Sequence, residues 1–268
     1  MPGQGSVPFD RAVDYYDRTR QLPARTAAEQ TELLAAQLLP LDGPCLEIGV
    51  GTGRIALPLV AAGCPMVGLD LSGPMLARLR AKDTAGGLPA VRGDATALPF
   101  PGQVFAAALA CHVLHLVGDW AAAVDELVRV LRPGGVLLVT RGAARQGLGP
   151  ELQERIRTAA GLGGAPARGL DRLDDLDEYL SARGAQVDRL PALGQDRTRS
   201  VEDYLRLTGD GVYSWTWDLD PARRLAAVEQ VRAWVWAEHG DPAALRLPSP
   251  PILWHRYELQ PGPRRARR

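Results

Sequence analysis

Three glycines, Gly49, Gly51 and Gly53, lie within Leu46-Glu47-Ile48-Gly49-Val50-Gly51-Thr52-Gly53-Arg54-Ile55, between an apolar run and a helix-like run. The spacing reads as a strand, a tight turn and a helix start. Glycine lacks a Cβ and tolerates positive φ, so backbone in such a turn can pass close to a ligand. The helix start adds free N–H groups and a positive dipole end, which attract an anionic group. A dinucleotide fingerprint, Gly-x-Gly-x-x-Gly, would put its third glycine at position 54. That position holds Arg54, and the glycine comes one residue early. The displacement argues against a nicotinamide enzyme and toward a different nucleotide-like ligand. Asp70 follows Gly49 by about 20 residues, the interval at which an acid on the next strand end can accept both ribose hydroxyls.

Alternating elements must position these residues. Residues 10–20 and 25–39 read as helices, the second closed by Pro40 and Gly43. Strands are expected at 45–48, 65–69, 89–92, 104–110 and 136–140. Helices are expected at 54–62, 74–82 and 120–131, with Ser72 as a cap of the second. This rhythm predicts a parallel sheet covered on both faces, with ligands outside the carboxyl ends of the strands. Gly49, Gly51, Gly53, Asp70, Asp94 and Cys111 all fall at such ends. Beyond residue 142 helices are expected at 150–160 and 171–183 and a strand at 185–190. An aromatic-rich helical insert follows at 200–240, and residues 252–259 read as a last, antiparallel edge strand.

The chain has 268 residues, 46% hydrophobic and 23% charged, with zero net charge, so no global field favours nucleic acid or an anionic membrane. No stretch reaches the roughly 20 apolar residues of a membrane span, and residues 1–30 show no apolar signal core. Three cysteines at unrelated spacings fit reduced thiols in a cytoplasmic protein. Lys82 is the only lysine, a bias in keeping with a GC-rich bacterial genome. The basic run 264–268 reads as a solvated, disordered end.

Four segments together resemble the class I S-adenosylmethionine-dependent methyltransferases of the small-molecule kind (type 11, like those of quinone and menaquinone biosynthesis). They are the glycine segment above, Val67-Gly68-Leu69-Asp70-Leu71-Ser72, Gly93-Asp94-Ala95-Thr96-Ala97-Leu98-Pro99-Phe100 and Leu131-Arg132-Pro133-Gly134-Gly135-Val136-Leu137-Leu138. The resemblance spans about residues 44–140. It implies an α/β, doubly wound, Rossmann-like sheet of seven strands, the last antiparallel, with a helical lid insert. Residues 1–40 would be an N-terminal helical lid, 41–145 the cofactor-binding core and 146–262 the rest of the sheet with the cap insert.

The cofactor would be S-adenosylmethionine, leaving as S-adenosylhomocysteine. The resemblance implies binding by Glu47, Gly49, Gly51, Thr52, Gly53, Asp70, Leu71, Met75, Asp94, Ala95 and Cys111, with Tyr16 and Arg20 from the lid. Asp94 would accept from the adenine amino group and Ala95 N–H would meet a ring nitrogen. Methyl transfer from a sulfonium releases a neutral thioether, so proximity and alignment matter most, and a base is needed only for a nucleophile that must lose a proton. His115 and His112 are the base candidates; each could instead stack on the cofactor or pack. No metal is expected, since no third ligand is near them. Tyr204, Tyr213, Trp215 and Trp217 would line an apolar substrate pocket or form the insert's own core. Trp234 and Trp236 read as packing.

The expected reaction is therefore methylation of an O, N or C nucleophile on a small, largely apolar molecule by a monomer or homodimer. The fourth strand end, Ala110-Cys111-His112-Val113, lacks the Asn/Asp-Pro-Pro-aromatic motif of methyltransferases acting on base amino groups. Phe105 is followed by Ala106 where the family commonly has Asp. A cofactor-binding protein without turnover and an NAD-dependent oxidoreductase are the alternatives; Arg54 and Asp94 speak against the second.

Overall fold

The computed structural model describes residues 5–141, 147–164 and 167–259. The chain forms two compact units. The first comprises described residues 5–141, 167–193 and 252–259, and the second 147–164 and 194–251.

The first unit is built on a seven-stranded sheet. Its strands are β1 (Cys45–Ile48), β2 (Met66–Asp70), β3 (Ala90–Arg92), β4 (Phe105–Cys111), β5 (Leu131–Thr140), β6 (Ala185–Arg189) and β9 (Trp254–Leu259). The order is β3-β2-β1-β4-β5-β9-β6. Strands β1 to β5 run parallel, and β9 is antiparallel to both β5 and β6. The doubly wound α/β architecture with an antiparallel last strand is as expected. Its position differs: β9 is not the edge. Trp254 and Tyr257 are fully buried and join opposite core clusters, so β9 is covered on both faces and β6 takes the open edge.

Alternation along the strands divides the core. Leu46, Ile48, Ala108, Ala110, Leu137 and Val139 pack on one face against α5 (Trp120–Val130) and α7 (Leu173–Ser181). Cys45, Ala107, Leu109, Val136 and Leu138 pack on the other against α2 (Ala24–Leu38), α3 (Ala56–Ala61) and α4 (Gly73–Lys82). Parallel strands buried on both faces read as continuous apolar runs, as in Phe105–Cys111, where every residue is buried. Ser72 caps α4 as expected, accepting from Met75 N–H at 3.2 Å. The single helix expected at 10–20 is instead a 3-10 turn, Asp10–Ala12, followed by the short α1 (Tyr16–Arg20). Five helical residues do not hold themselves together in water, so α1 depends on contacts described below.

The second unit contains α6 (Leu148–Ala159), α8 (Val201–Gly209) and α9 (Pro221–His239), together with a two-stranded antiparallel ribbon of β7 (Thr198–Ser200) and β8 (Arg246–Pro248). Its core joins Leu152 and Ile156 of α6, Leu205 of α8 and Val228, Val231 and Val235 of α9. Trp234 packs against this core beneath the Arg155 guanidinium, 3.7 Å from the ring centroid. Trp236, expected to pack, is 56% exposed. On a helix two residues turn the side chain by about 200°, so the pair cannot share a face. The basic run 264–268 lies outside the described residues. No helix among them is long and apolar enough to cross a membrane.

Gly169 marks a close approach within the first unit. A Cβ there would lie 2.4 Å from the Leu114 carbonyl oxygen and 2.5 Å from that of Val117. Because the obstacle is backbone, relief requires the chain to move. Gly169→Ala is expected to cost about 1–3 kcal/mol of stability, the range for overpacking. Urea denaturation measures this as a lower midpoint at unchanged slope.

Candidate cofactor and methyl-transfer site

The glycine turn follows β1 and crosses the carboxyl end of the sheet. Gly49, Gly51 and Gly53 have φ of 64°, 55° and 80°, a region open to glycine at little cost. A Cβ on Gly49 would meet Val113 Cγ2 at 2.6 Å, and one on Gly53 would meet Leu57 at 2.8 Å. Gly68 on β2 matters in the same way: a Cβ would meet Val50 Cγ1 at 2.8 Å, so its absence lets the turn fold across the neighbouring strand.

Asp70, at the end of β2, organises this turn. Its Oδ2 accepts from Gly51 N–H at 2.7 Å and its Oδ1 from Ser72 N–H at 2.8 Å. Burial raises its pKa and Asp10 adds to this, although the Ser72, Gly51 and Leu71 N–H groups oppose the shift. A carboxylate offers about four acceptor positions, so these three backbone donors leave capacity for a hydroxyl. Leu71 accepts from Arg92 Nε at 3.1 Å through its carbonyl, and Met75 is buried on α4. Asp94 follows β3. Its Oδ1 accepts from Thr96 N–H at 3.0 Å, Thr96 Oγ1 at 2.9 Å and Ser6 Oγ at 3.2 Å, while Ala95 is buried beside it.

Glu47 lies beneath the turn, 2% exposed. Burial pushes its carboxyl up to about 8; Arg54 and the Ala56 N–H oppose this, and Asp70 adds to it. Its Oε2 is buried with no hydrogen-bond partner among the described residues. An unpaired carboxyl oxygen in the interior costs free energy unless a donor arrives. Arg54 reaches Cys111 Sγ at 3.6 Å through Nη2 and also hydrogen-bonds Tyr16. Burial works against its charge, but Cys111, Tyr16 and Glu47 around it raise its pKa. The Cys111 thiol is pushed up to about 12 by burial despite that guanidinium, so it is no thiolate. Residue spacing gave no signal for this role of Arg54, because its partners come from three separate segments.

His112 follows β4 with φ of 52°, one of two non-glycine residues with positive φ among the described residues. Its N–H donates to Thr140 O at 3.0 Å. His115 sits on the 3-10 turn Leu114–Leu116. Burial pushes both rings down to about 3, assisted by Arg54, Arg20 and Arg141 at His112 and by Arg141, His112 and Arg20 at His115. Both imidazoles are neutral at pH 7 and accept protons weakly.

Asp17, on α1, ties the N-terminal segment to this site, a contact that spacing did not reveal. It accepts from Thr52 Oγ1 at 2.6 Å and pairs with Lys82 Nζ at 2.6 Å, and Lys82 also donates to Thr52 O at 3.3 Å. Phe9 packs edge-on to Tyr16, centroids 5.9 Å apart. Burial alone would raise the Asp17 carboxyl, but Lys82 and Thr52 outweigh it and hold it below its ordinary value. A depressed folded pKa contributes stability above the unfolded value of 3.8 that is lost as pH falls through the folded one. The tie therefore holds at neutral pH. Asp17→Ala is expected to lower amide protection in residues 16–20 while leaving the global unfolding midpoint nearly unchanged, as hydrogen exchange would record.

The structure brings Glu47, the three glycines, Thr52, Asp70, Cys111, Tyr16 and both histidines into the first unit. Tyr204, Tyr213, Trp215 and Trp217 belong to the second. Tyr204 and Trp215 pack on that unit's own core, Tyr204 and Tyr213 stand 5.5 Å apart, and Trp217 Nε1 donates to Gly211 O at 2.9 Å. Among the described residues no three His, Cys, Asp or Glu side chains cluster as a metal site.

Residues 46–139, which carry the glycine turn, the acid that pins it and the polar groups on successive strand ends, resemble a class I S-adenosylmethionine-dependent methyltransferase domain, and S-adenosylmethionine is the cofactor indicated. More particularly, residues 46–139 match the family described as methyltransferase domain. A demethylmenaquinone methyltransferase of Thermus thermophilus is 43% identical over 98 residues, covering 35% of this chain and 44% of that protein. The match spans about half the length of the curated relatives. A SAM-dependent methyltransferase of Thermotoga maritima shares the fold at a TM-score of 0.54 and 20% identity, over 94% of this chain and 98% of that one. A [4+2]-cyclase, SpnF, shares it at 0.54 and 22% identity, over 90% and 84%.

Proposed function

We propose that this protein transfers a methyl group from S-adenosylmethionine to an oxygen, nitrogen or carbon nucleophile of a small, largely apolar molecule. The observation that carries this reading is the pairing of the Asp70-pinned glycine turn with the unpartnered Glu47 oxygen beneath it. Together they present an acceptor for vicinal hydroxyls and a buried acceptor for an ammonium, the two features that distinguish this cofactor from a simple phosphate ligand. Bound there, S-adenosylmethionine supplies an electrophilic methyl and leaves as a neutral thioether.

The chain's own groups bind and align. Asp70 takes the ribose hydroxyls and Glu47 the ammonium. Gly49, Gly51, Thr52 and Gly53 let backbone approach. Asp94 and Ala95 receive the adenine, with Leu71 and Met75 along it, and Tyr16, Arg20 and Cys111 close the methionine end. Alignment for in-line attack and exclusion of water are the main catalytic contributions. His115 and His112, with pKa values near 3, are suited to hydrogen-bonding the acceptor rather than to holding its proton. Three buried free cysteines support a reducing, cytoplasmic setting.

The test is S-adenosylhomocysteine formation against a panel of phenols, quinones, amines and carboxylic acids. Acceptor-dependent product is expected. Because the fold also hosts a cyclase, a fold likeness does not establish methyl transfer. Tight cofactor binding with no acceptor-dependent product would favour a cofactor-binding protein without turnover.

A further inference from the structure

The N-terminal segment, residues 5–20, crosses the loops that carry the candidate site. Ser6 Oγ donates to Asp94 Oδ1 at 3.2 Å, beyond β3. Val7 N–H donates to Leu116 O at 3.2 Å, on the turn beyond β4. Tyr16 Cε1 stands 4.0 Å from where a Cβ on Gly51 would lie, so its ring meets the glycine turn beyond β1. Asp17 accepts from Thr52 Oγ1, in the same turn, at 2.6 Å. One segment thus meets the chain beyond three parallel strands.

Its firmest anchor is ionic. Arg78 and Lys82 lie four residues apart on α4, a spacing that makes them neighbours on one helix face. Asp17 Oδ2 pairs with Lys82 Nζ at 2.6 Å and lies 3.8 Å from Arg78 Nε. Lys82 Nζ also donates to Thr52 O at 3.3 Å. Asp17, Thr52 and Lys82 therefore close a triangle through which α4 grips the glycine turn and the N-terminal segment together. Buried Met75, Leu76 and Leu79 fix α4 to the core, whereas α1 is too short to hold its own shape. The Asp17 and Lys82 side chains are 32% and 36% exposed. Ion pairs in contact with water are weak, so the triangle can open locally while the core stays folded.

We propose that Asp17 and Lys82 are positioning residues that govern exchange of the cofactor: residues 5–20 act as a strap over the S-adenosyl site, and the triangle at Thr52 is its fastening. This rests on the methyltransferase reading and adds to it the route by which the ligand enters and leaves. A ligand reaching from the glycine turn to Asp94 runs beneath the strap and passes only while the triangle is open. Such a gate limits entry and exit alike, so loosening it speeds both. A side chain that merely touched the ligand would change exit alone.

The test measures association and dissociation rates of S-adenosylhomocysteine by surface plasmon resonance on the full chain and its variants. Lys82→Gln and Asp17→Asn are each expected to raise both rates about threefold or more, the scale of a lost exposed ion pair, with their ratio held within about twofold. Lys82→Arg keeps the charge and should return both rates to within about twofold of the unaltered protein. If one of the two charge-removing variants does not fold, the other carries the test. Rates unchanged in the folded variants overturn the proposal. So does faster dissociation with unchanged or slower association, because the two residues would then bind the ligand or support the turn rather than gate it. Failure of S-adenosylhomocysteine to bind the unaltered protein would remove the methyltransferase reading, and the role of the strap with it.

Discussion

Asp70→Ala is expected to weaken S-adenosylmethionine binding by about 1–3 kcal/mol, roughly 5- to 150-fold, the range for lost hydrogen bonds to a charged group. Two losses coincide. The ribose acceptor disappears, and the Gly51 and Ser72 N–H groups, held at 2.7 and 2.8 Å, lose the carboxylate that shapes the turn. Asp70→Asn separates them. Its amide oxygen can still accept from one backbone N–H, but its NH2 faces the other donor, so the variant should fall between wild type and alanine. Calorimetric titration measures both. Unchanged affinity in the alanine variant would rule out the ribose role of Asp70.

Binding is also expected to release close to one proton at pH 7, through Glu47. In the cofactor-free protein burial lifts this carboxyl from 4.5 to about 8, so it is protonated at neutral pH. An ammonium at its unpartnered oxygen favours the ionised form. The sign follows: binding that expels a proton strengthens as pH rises, by at most about tenfold per unit, and levels off above about 8. For folding, the raised pKa contributes stability in full below 4.5 that is lost as pH climbs through about 8. Titrations in buffers of different ionisation enthalpy count the proton directly. Glu47→Gln keeps an acceptor for the Ala56 N–H but cannot ionise, so its proton release should vanish and its affinity become flat with pH. Proton release equal in the variant and the wild type would assign the linkage to another group.

Much of the core and the glycine turn was legible because residue type encodes it locally. Only glycine suits φ of 64° at Gly49 with a valine 2.6 Å from the missing Cβ, and the acid at the next strand end falls at the familiar interval of about 20 residues. Helix caps and apolar strand runs are local in the same sense. The position of β9 was not local: Ile252–Leu259 alternates like a half-exposed edge, and only the return of β6 to its far side buries it. Likewise Thr52, Asp17 and Lys82 meet across separations of up to 65 residues, and nothing in their spacing announces it. The second unit's ribbon pairs three-residue strands almost fifty residues apart, too short to show a period. The histidines were legible as residues just past the fourth strand end but not in their chemistry, because burial, which spacing does not reveal, lowers both rings and arginines from different segments add to it.

The most direct test of the central claim, a S-adenosylmethionine site at the glycine turn, is calorimetric titration of the purified protein with S-adenosylmethionine, S-adenosylhomocysteine and NADH in parallel. Micromolar binding of the two sulfur compounds and none of NADH is the predicted result. Absence of binding by both sulfur compounds, or binding of NADH in their place, would contradict it.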